Sequence, residues 1–96
     1  MSTSAMKYVD LVKDGVVKEA ATVSTGRHNV INVYGITGNG TLKFEVSVDG
    51  GTTYVEDATL ETTADGPIVL ENAPAIIKAK IDDVTDASTL LVQLGY

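Results

Sequence analysis

Ninety-six residues with no cysteine, no tryptophan, one histidine and a formal net charge of −6 set tight bounds on this chain. They fit one small domain whose thin core buries about two-thirds of the unfolded surface, and they exclude disulfides and thiolate-zinc sites. Thirteen acidic against seven basic residues argue against nucleic acid and anionic membranes, whose affinity rests on Lys and Arg meeting phosphates.

Val, Ile and Thr supply roughly a third of the residues, and branching at Cβ suits a pleated strand better than a helix. Met1 to Ala5 read as a flexible end and residues 6–96 as one domain. Met1 to Met6 lack the basic and apolar blocks of a secretory signal, so the expectation is a chain made in the cytoplasm. No apolar run nears the roughly 20 residues of a bilayer span.

Lys7 to Lys13 and Val16 to Val23 flank Asp14-Gly15 and predict a hairpin, because Asp-Gly and Asn-Gly pairs tolerate the positive φ of a two-residue turn. Lys18-Glu19-Ala20-Ala21 favours a helix but is too short to nucleate one. Ser24-Thr25-Gly26 is the next turn. Asn29 to Ile36 and Thr41 to Val48 flank Gly38-Asn39-Gly40 and predict a second hairpin. In its second arm Leu42, Phe44, Val46 and Val48 face one way, and Lys43, Glu45 and Ser47 the other. Shorter strands are predicted at Thr53 to Glu56, Thr59 to Thr62 and Pro67 to Glu71, with turns at Asp65-Gly66-Pro67 and Asn72-Ala73-Pro74. Ala75 to Ile81 and Thr89 to Leu94 are long, apolar and central, with Ile77, Ala79 and Ile81 on one face and Leu90, Val92 and Leu94 on another. Turn signals every 8 to 12 residues predict an all-β antiparallel sandwich of Ig-like or jelly-roll character, with about eight strands.

Ser47, Asp49, Gly51, Thr53 and Tyr54 resemble an Asp-box, S-x-D-x-G-x-T-W, with Tyr54 in place of tryptophan. Asp49 can hold an Asx-turn while Tyr54 caps the apolar row. The expected role is structural: repeated boxes mark propellers, which need at least four blades. Asp82, Asp83 and Asp86 crowd one loop, without the spacing of a calcium-binding EF-hand, and read as a solvated acidic surface. His28, beside Arg27, has no G-x-S-x-G partner for nucleophilic catalysis and no co-ligands for zinc. Sugar stacking lacks tryptophan, and Tyr8, Tyr34, Tyr54 and Tyr96 are scattered over different strands. The reading is therefore of a protein that is not an enzyme and holds no cofactor.

What is left is apolar surplus. Ile31, Val33, Ile76 and Leu91 fall on the face opposite the other apolar residues of their strands. A strand apolar on both faces is either central and covered twice, or part of a surface that meets another chain. Both readings stay open here. With Tyr8, these residues and the stretch from Met1 to Lys13 are the candidate contacts.

The run Thr41 to Tyr54, followed by Asp65-Gly66-Pro67-Ile68-Val69-Leu70, Ala75 to Ile81 and Thr89 to Val92, resembles small acidic β-proteins from the structural-gene blocks of tailed bacteriophages. That resemblance implies a virion component, foremost a capsid decoration or cement protein bound to the major capsid protein at the capsid surface. A homotrimer at threefold points of the lattice is implied with it. The alternative is a carbohydrate-binding or host-adhesion module, such as a head fibre or tail component.

Overall fold

The structure, a computed structural model, describes residues 7–23, 29–70 and 75–96. These form nine strands: β1 (Tyr8–Lys13), β2 (Val16–Val17), β3 (Ala21–Thr22), β4 (Asn29–Tyr34), β5 (Lys43–Ser47), β6 (Val55–Glu56), β7 (Gly66–Leu70), β8 (Ile76–Lys80) and β9 (Leu91–Gly95). All pairings are antiparallel. A five-stranded sheet runs β2-β1-β9-β4-β7 and a four-stranded sheet β3-β8-β5-β6, packed as the expected β-sandwich. The predicted flexible end, His28, Arg27, and the turns at Ser24 to Gly26 and Asn72 to Pro74 lie outside the described residues.

The first hairpin closes at Asp14-Gly15, both at positive φ (52° and 77°), the mirror-image turn whose twist matches its strands. Its second arm is not one strand. β2 pairs with β1 only at Val12 and Lys13. The chain then crosses to the other sheet, where Ala21 and Thr22 pair with β8. No helix forms at Lys18 to Ala21.

The predicted hairpin around Asn39-Gly40 does not form. β4 lies in one sheet and β5 in the other. Each is already flanked on both sides, β4 by β9 and β7 and β5 by β8 and β6, so neither has an edge for the other. The connection bonds to the loop after β8 instead. Thr41 N–H donates to Asp83 O at 3.1 Å, and Thr85 N–H to Asn39 O at 2.6 Å. Thr59 to Thr62 is likewise no strand. Asp57 caps a 3-10 turn over Ala58–Leu60, its Oδ1 accepting from Thr59 N–H and Oγ1 at 3.0 and 2.6 Å.

The core lies between the sheets. Leu11, Val12, Ile31, Val33 and Leu94 from one sheet meet Phe44 and Ile77 from the other, with Ile36, Leu42, Leu90 and Val92, all fully buried or nearly so. Ile31 and Val33 are therefore core residues and not surface contacts. In β4 the inward row is Ile31–Val33, and Val30 turns out. Val48 also departs from its predicted row. β5 ends at Ser47, and Val48 enters the turn 88% exposed.

Candidate functional site

Three regions hold the candidate residues: the turn after β5 and the two outer faces of the sandwich. In the turn, Ser47 Oγ donates to Asp49 Oδ1 at 2.7 Å and accepts from Gly51 N–H at 2.9 Å. The same Asp49 oxygen accepts from Thr52 N–H at 3.1 Å and Thr53 N–H at 2.9 Å. The Asp-box residues thus close the β5–β6 hairpin on themselves. These bonds, led by Thr53 N–H, pull the Asp49 carboxyl down to about 2. Tyr54 does not cap the core row. It lies on the outer side of the four-stranded sheet, with Lys78 Nζ 4.0 Å from its ring centre. Ile76 is half-buried under this turn, within reach of Gly51.

A carboxyl whose folded pKa is depressed stabilises the fold above its unfolded pKa and loses that contribution as pH falls through the folded one. Asp65, Asp83 and Asp86 are also lowered, by Gly35 and Thr37 backbone donors, by Lys43 and by Ser88 respectively. The melting temperature should hold down to about pH 4 and then fall steeply toward about pH 2. In Asp49→Asn the fall should be shallower, as thermal melts across that range would record. An unchanged profile would show that Asp49 contributes nothing to it.

The outer face of the four-stranded sheet is a ladder of charge. Lys43 reaches Asp83 at 2.7 Å and Glu56 at 3.5 Å, Lys78 reaches Glu45 at 3.9 Å, and Lys80 reaches Glu56 at 3.5 Å and Asp82 at 3.6 Å. Asp83 raises the Lys43 pKa, chiefly through their hydrogen bond. Two carboxylates of the acidic loop thus go to lysines, while Asp86 accepts from Ser88. Among the described residues no group of three or more His, Asp or Glu is placed to hold a metal.

The outer face of the five-stranded sheet is the opposite in character. The registers align Val69, Val30, Gly95 and Tyr8 in one row across four strands, and Pro67, Asn32, Gln93 and Asp10 in the next. Tyr34 and Leu91 pair in a third. Tyr8 is 54% exposed and Tyr34 51%. Gln93 Nε2 donates to Asp10 Oδ1 at 3.0 Å, so a polar stripe runs between two apolar rows. Of the five candidate contacts, Tyr8 and Leu91 lie on this face in different rows, Ile76 lies on the other face, and Ile31 and Val33 are inside. Sequence reasoning missed Val30, Asn32, Val69 and Gln93, held Asp10 only as part of the stretch Met1 to Lys13, and weighed Tyr34 only as a sugar platform. The available signal was the polar Asn32 between Val30 and Tyr34, which marks that row as outward.

No family model, curated protein or solved structure matches this chain.

Proposed function

We propose that this is a non-enzymatic structural protein of a tailed-phage virion, a decoration protein that binds the major capsid protein and stabilises the shell. The virion setting comes from the resemblance of Thr41 to Tyr96. The observation that carries the docking role is the contrast between the two outer faces. One is solvated by paired charges. The other presents half-exposed Tyr8 and Tyr34 with Val30, Val69 and Leu91 around a polar stripe of Asn32, Gln93 and Asp10. An apolar field supplies the binding energy, and a central row of hydrogen-bonding side chains fixes the register of the partner. The Asp-box carboxylate is consumed by its own turn and is not free for chemistry.

The chain should co-sediment with expanded capsids that lack it and raise their melting temperature. Tyr34→Lys and Leu91→Lys should weaken binding about thirtyfold or more, the scale of a hot-spot residue. Lys78→Glu, on the charged face, should leave binding unchanged. Failure to bind any capsid, or equal loss from both faces, would sink this reading. A glycan-binding module is the second reading, favoured by Tyr8 and Tyr34 sharing one face. Four residues along β9 and two strand spacings put them about 17 Å apart, at opposite corners of a flat sheet. Glycan-array binding abolished by Tyr8→Ala or Tyr34→Ala would establish that reading instead.

A further inference from the structure

Asn39-Gly40 is the one Asn-Gly pair in the chain, and it turns no hairpin. Asn39 N–H closes a turn onto Ile36 O at 2.8 Å, Asn39 Nδ2 donates to Gly35 O at 2.9 Å, and Asn39 O accepts from Thr85 N–H at 2.6 Å. On the far side of Gly40, Thr41 N–H donates to Asp83 O at 3.1 Å. The loop after β8 is thus latched by two bonds that straddle Gly40.

The peptide unit joining Asn39 to Gly40 is bonded on one side only. Gly40 pairs with Val84 through the bonds of its neighbours, so its own N–H and C=O point away from that loop. Gly40 is exposed, and among the described residues its N–H has no acceptor. The oxygen of the same unit takes the Thr85 bond. A donor on that oxygen draws electron density from the amide and makes its N–H more acidic. Hydroxide from solvent reaches the proton, and with no Cβ on Gly40 little crowds the nitrogen. Asn39 Cγ is the matching electrophile. Attack on it closes a five-membered ring within one chain and needs no second molecule to be brought into place. A single bond restrains the carboxamide, Nδ2 to Gly35 O, and its opening frees rotation about Cα–Cβ.

We propose that Asn39 is a site of self-modification whose product unlatches the loop after β8. Gly40 N gives its proton to hydroxide and forms a bond to Asn39 Cγ. The Cγ–Nδ2 bond breaks, and the nitrogen takes a proton from water and leaves as ammonia. Water then adds to one carbonyl of the cyclic imide and opens it to an aspartate or an isoaspartate. One water is consumed for each ammonia released, and nothing is oxidised or reduced. Either product loses the donor to Gly35 O and sets a carboxylate oxygen against that carbonyl, a repulsive pair. The isoaspartate does more. Its main chain runs through Cβ and Cγ, which inserts one carbon between residue 39 and Gly40. The two bonds that straddle Gly40 then cannot both keep their lengths. The change is one-way, so each chain carries a record of its age.

Ageing the folded full chain in mildly alkaline buffer, followed by intact mass, peptide mapping and isoaspartate detection, tests this. The expected result is a gain of about 1 Da per chain, located at residue 39. The rate should rise with pH and stay level in urea below the unfolding transition, because the reaction needs one side-chain bond to open and not the fold. Asn39→Gln should abolish the gain, since its longer side chain cannot close the same ring. The modified chain should melt about 5 °C or more below the fresh one, the scale of one or two lost hydrogen bonds. In it the amides of Thr41 and Thr85 should exchange faster with solvent. Asn39→Asp, which keeps the original main chain, should fall between the two. No gain, a gain located only at Asn29, Asn32 or Asn72, a gain that survives Asn39→Gln, a rate that climbs with urea in step with the unfolded fraction, or a modified chain that melts like the fresh one would each overturn the proposal. No capsid enters these measurements, so they stand apart from the docking role.

Discussion

Gly40→Ala should lower the melting temperature by roughly 10–25 °C. Gly40 sits at φ +111°, and a Cβ there would lie 2.2 Å from the Asp83 carbonyl oxygen. The left-handed backbone costs an L-residue about 1–2 kcal/mol, and forcing packed backbone apart costs about 1–3 more. At about 5 °C per kcal/mol for a domain of this size, the sum of about 2–5 kcal/mol gives that range. The contact is part of a seat. Residues 82–90 cross one end of the sandwich, with Asp83 O against Gly40, Ala87 O against Gly15 and Thr89 O against Gly35. Gly38→Ala is the control. Its φ is +84° but nothing lies within 4 Å of its Cβ position, so only the backbone strain should appear, about 1–2 kcal/mol. Equal shifts for the two variants in thermal melts would show that the loop gives way freely.

Ile31→Ala should destabilise by about 2–5 kcal/mol, the range for a buried Ile or Leu cut to Ala. Ile31 is fully buried, between Ile68 and Leu94 in register. Leu91→Ala, on the half-buried outer face, should cost a fraction of that while weakening the proposed docking. Denaturant unfolding of both variants checks this. Similar losses would mean that the outer face is covered within the single chain.

These two residues mark where the sequence can be read and where it cannot. In β9, Leu91 alternates with Gln93, and the amide shows which side faces water. In β4 the polar markers conflict. Asn32 lies in the outer row but Asn29 lies in the inner one, 3% exposed. A period of two fixes which residues share a face and not which face is the core, so Ile31 and Val33 fell on the wrong side. Class and elements were legible because branched residues and turn pairs are local signals. The hairpin error at Asn39-Gly40 arose because partner choice is non-local: Gly40 uses its positive φ to receive the Asp83 loop, not to reverse a ladder. Tyr54 was misplaced for a similar reason. β5 ends at the buried Ser47, and the box folds to the outer side over Lys78. Self-satisfaction of the Asp-box, in contrast, followed from residue types four apart. The point at which β2 leaves β1, after Val17, carries no side-chain signal at all.

The position of β9 has a consequence for how the protein comes into being. It lies between β1 and β4, and those two strands make no ladder with each other. On a ribosome, the first four strands emerge with nothing to hold the middle of the larger sheet together. The sheet closes only when β9, synthesised after the other eight, slots between β1 and β4, with Tyr96 bonded to Lys7. Such distant pairing makes folding slow, on the millisecond-to-second scale. A chain cut short before Leu91 has no contiguous five-stranded face to present, so a partner that reads that face also reads whether translation reached β9.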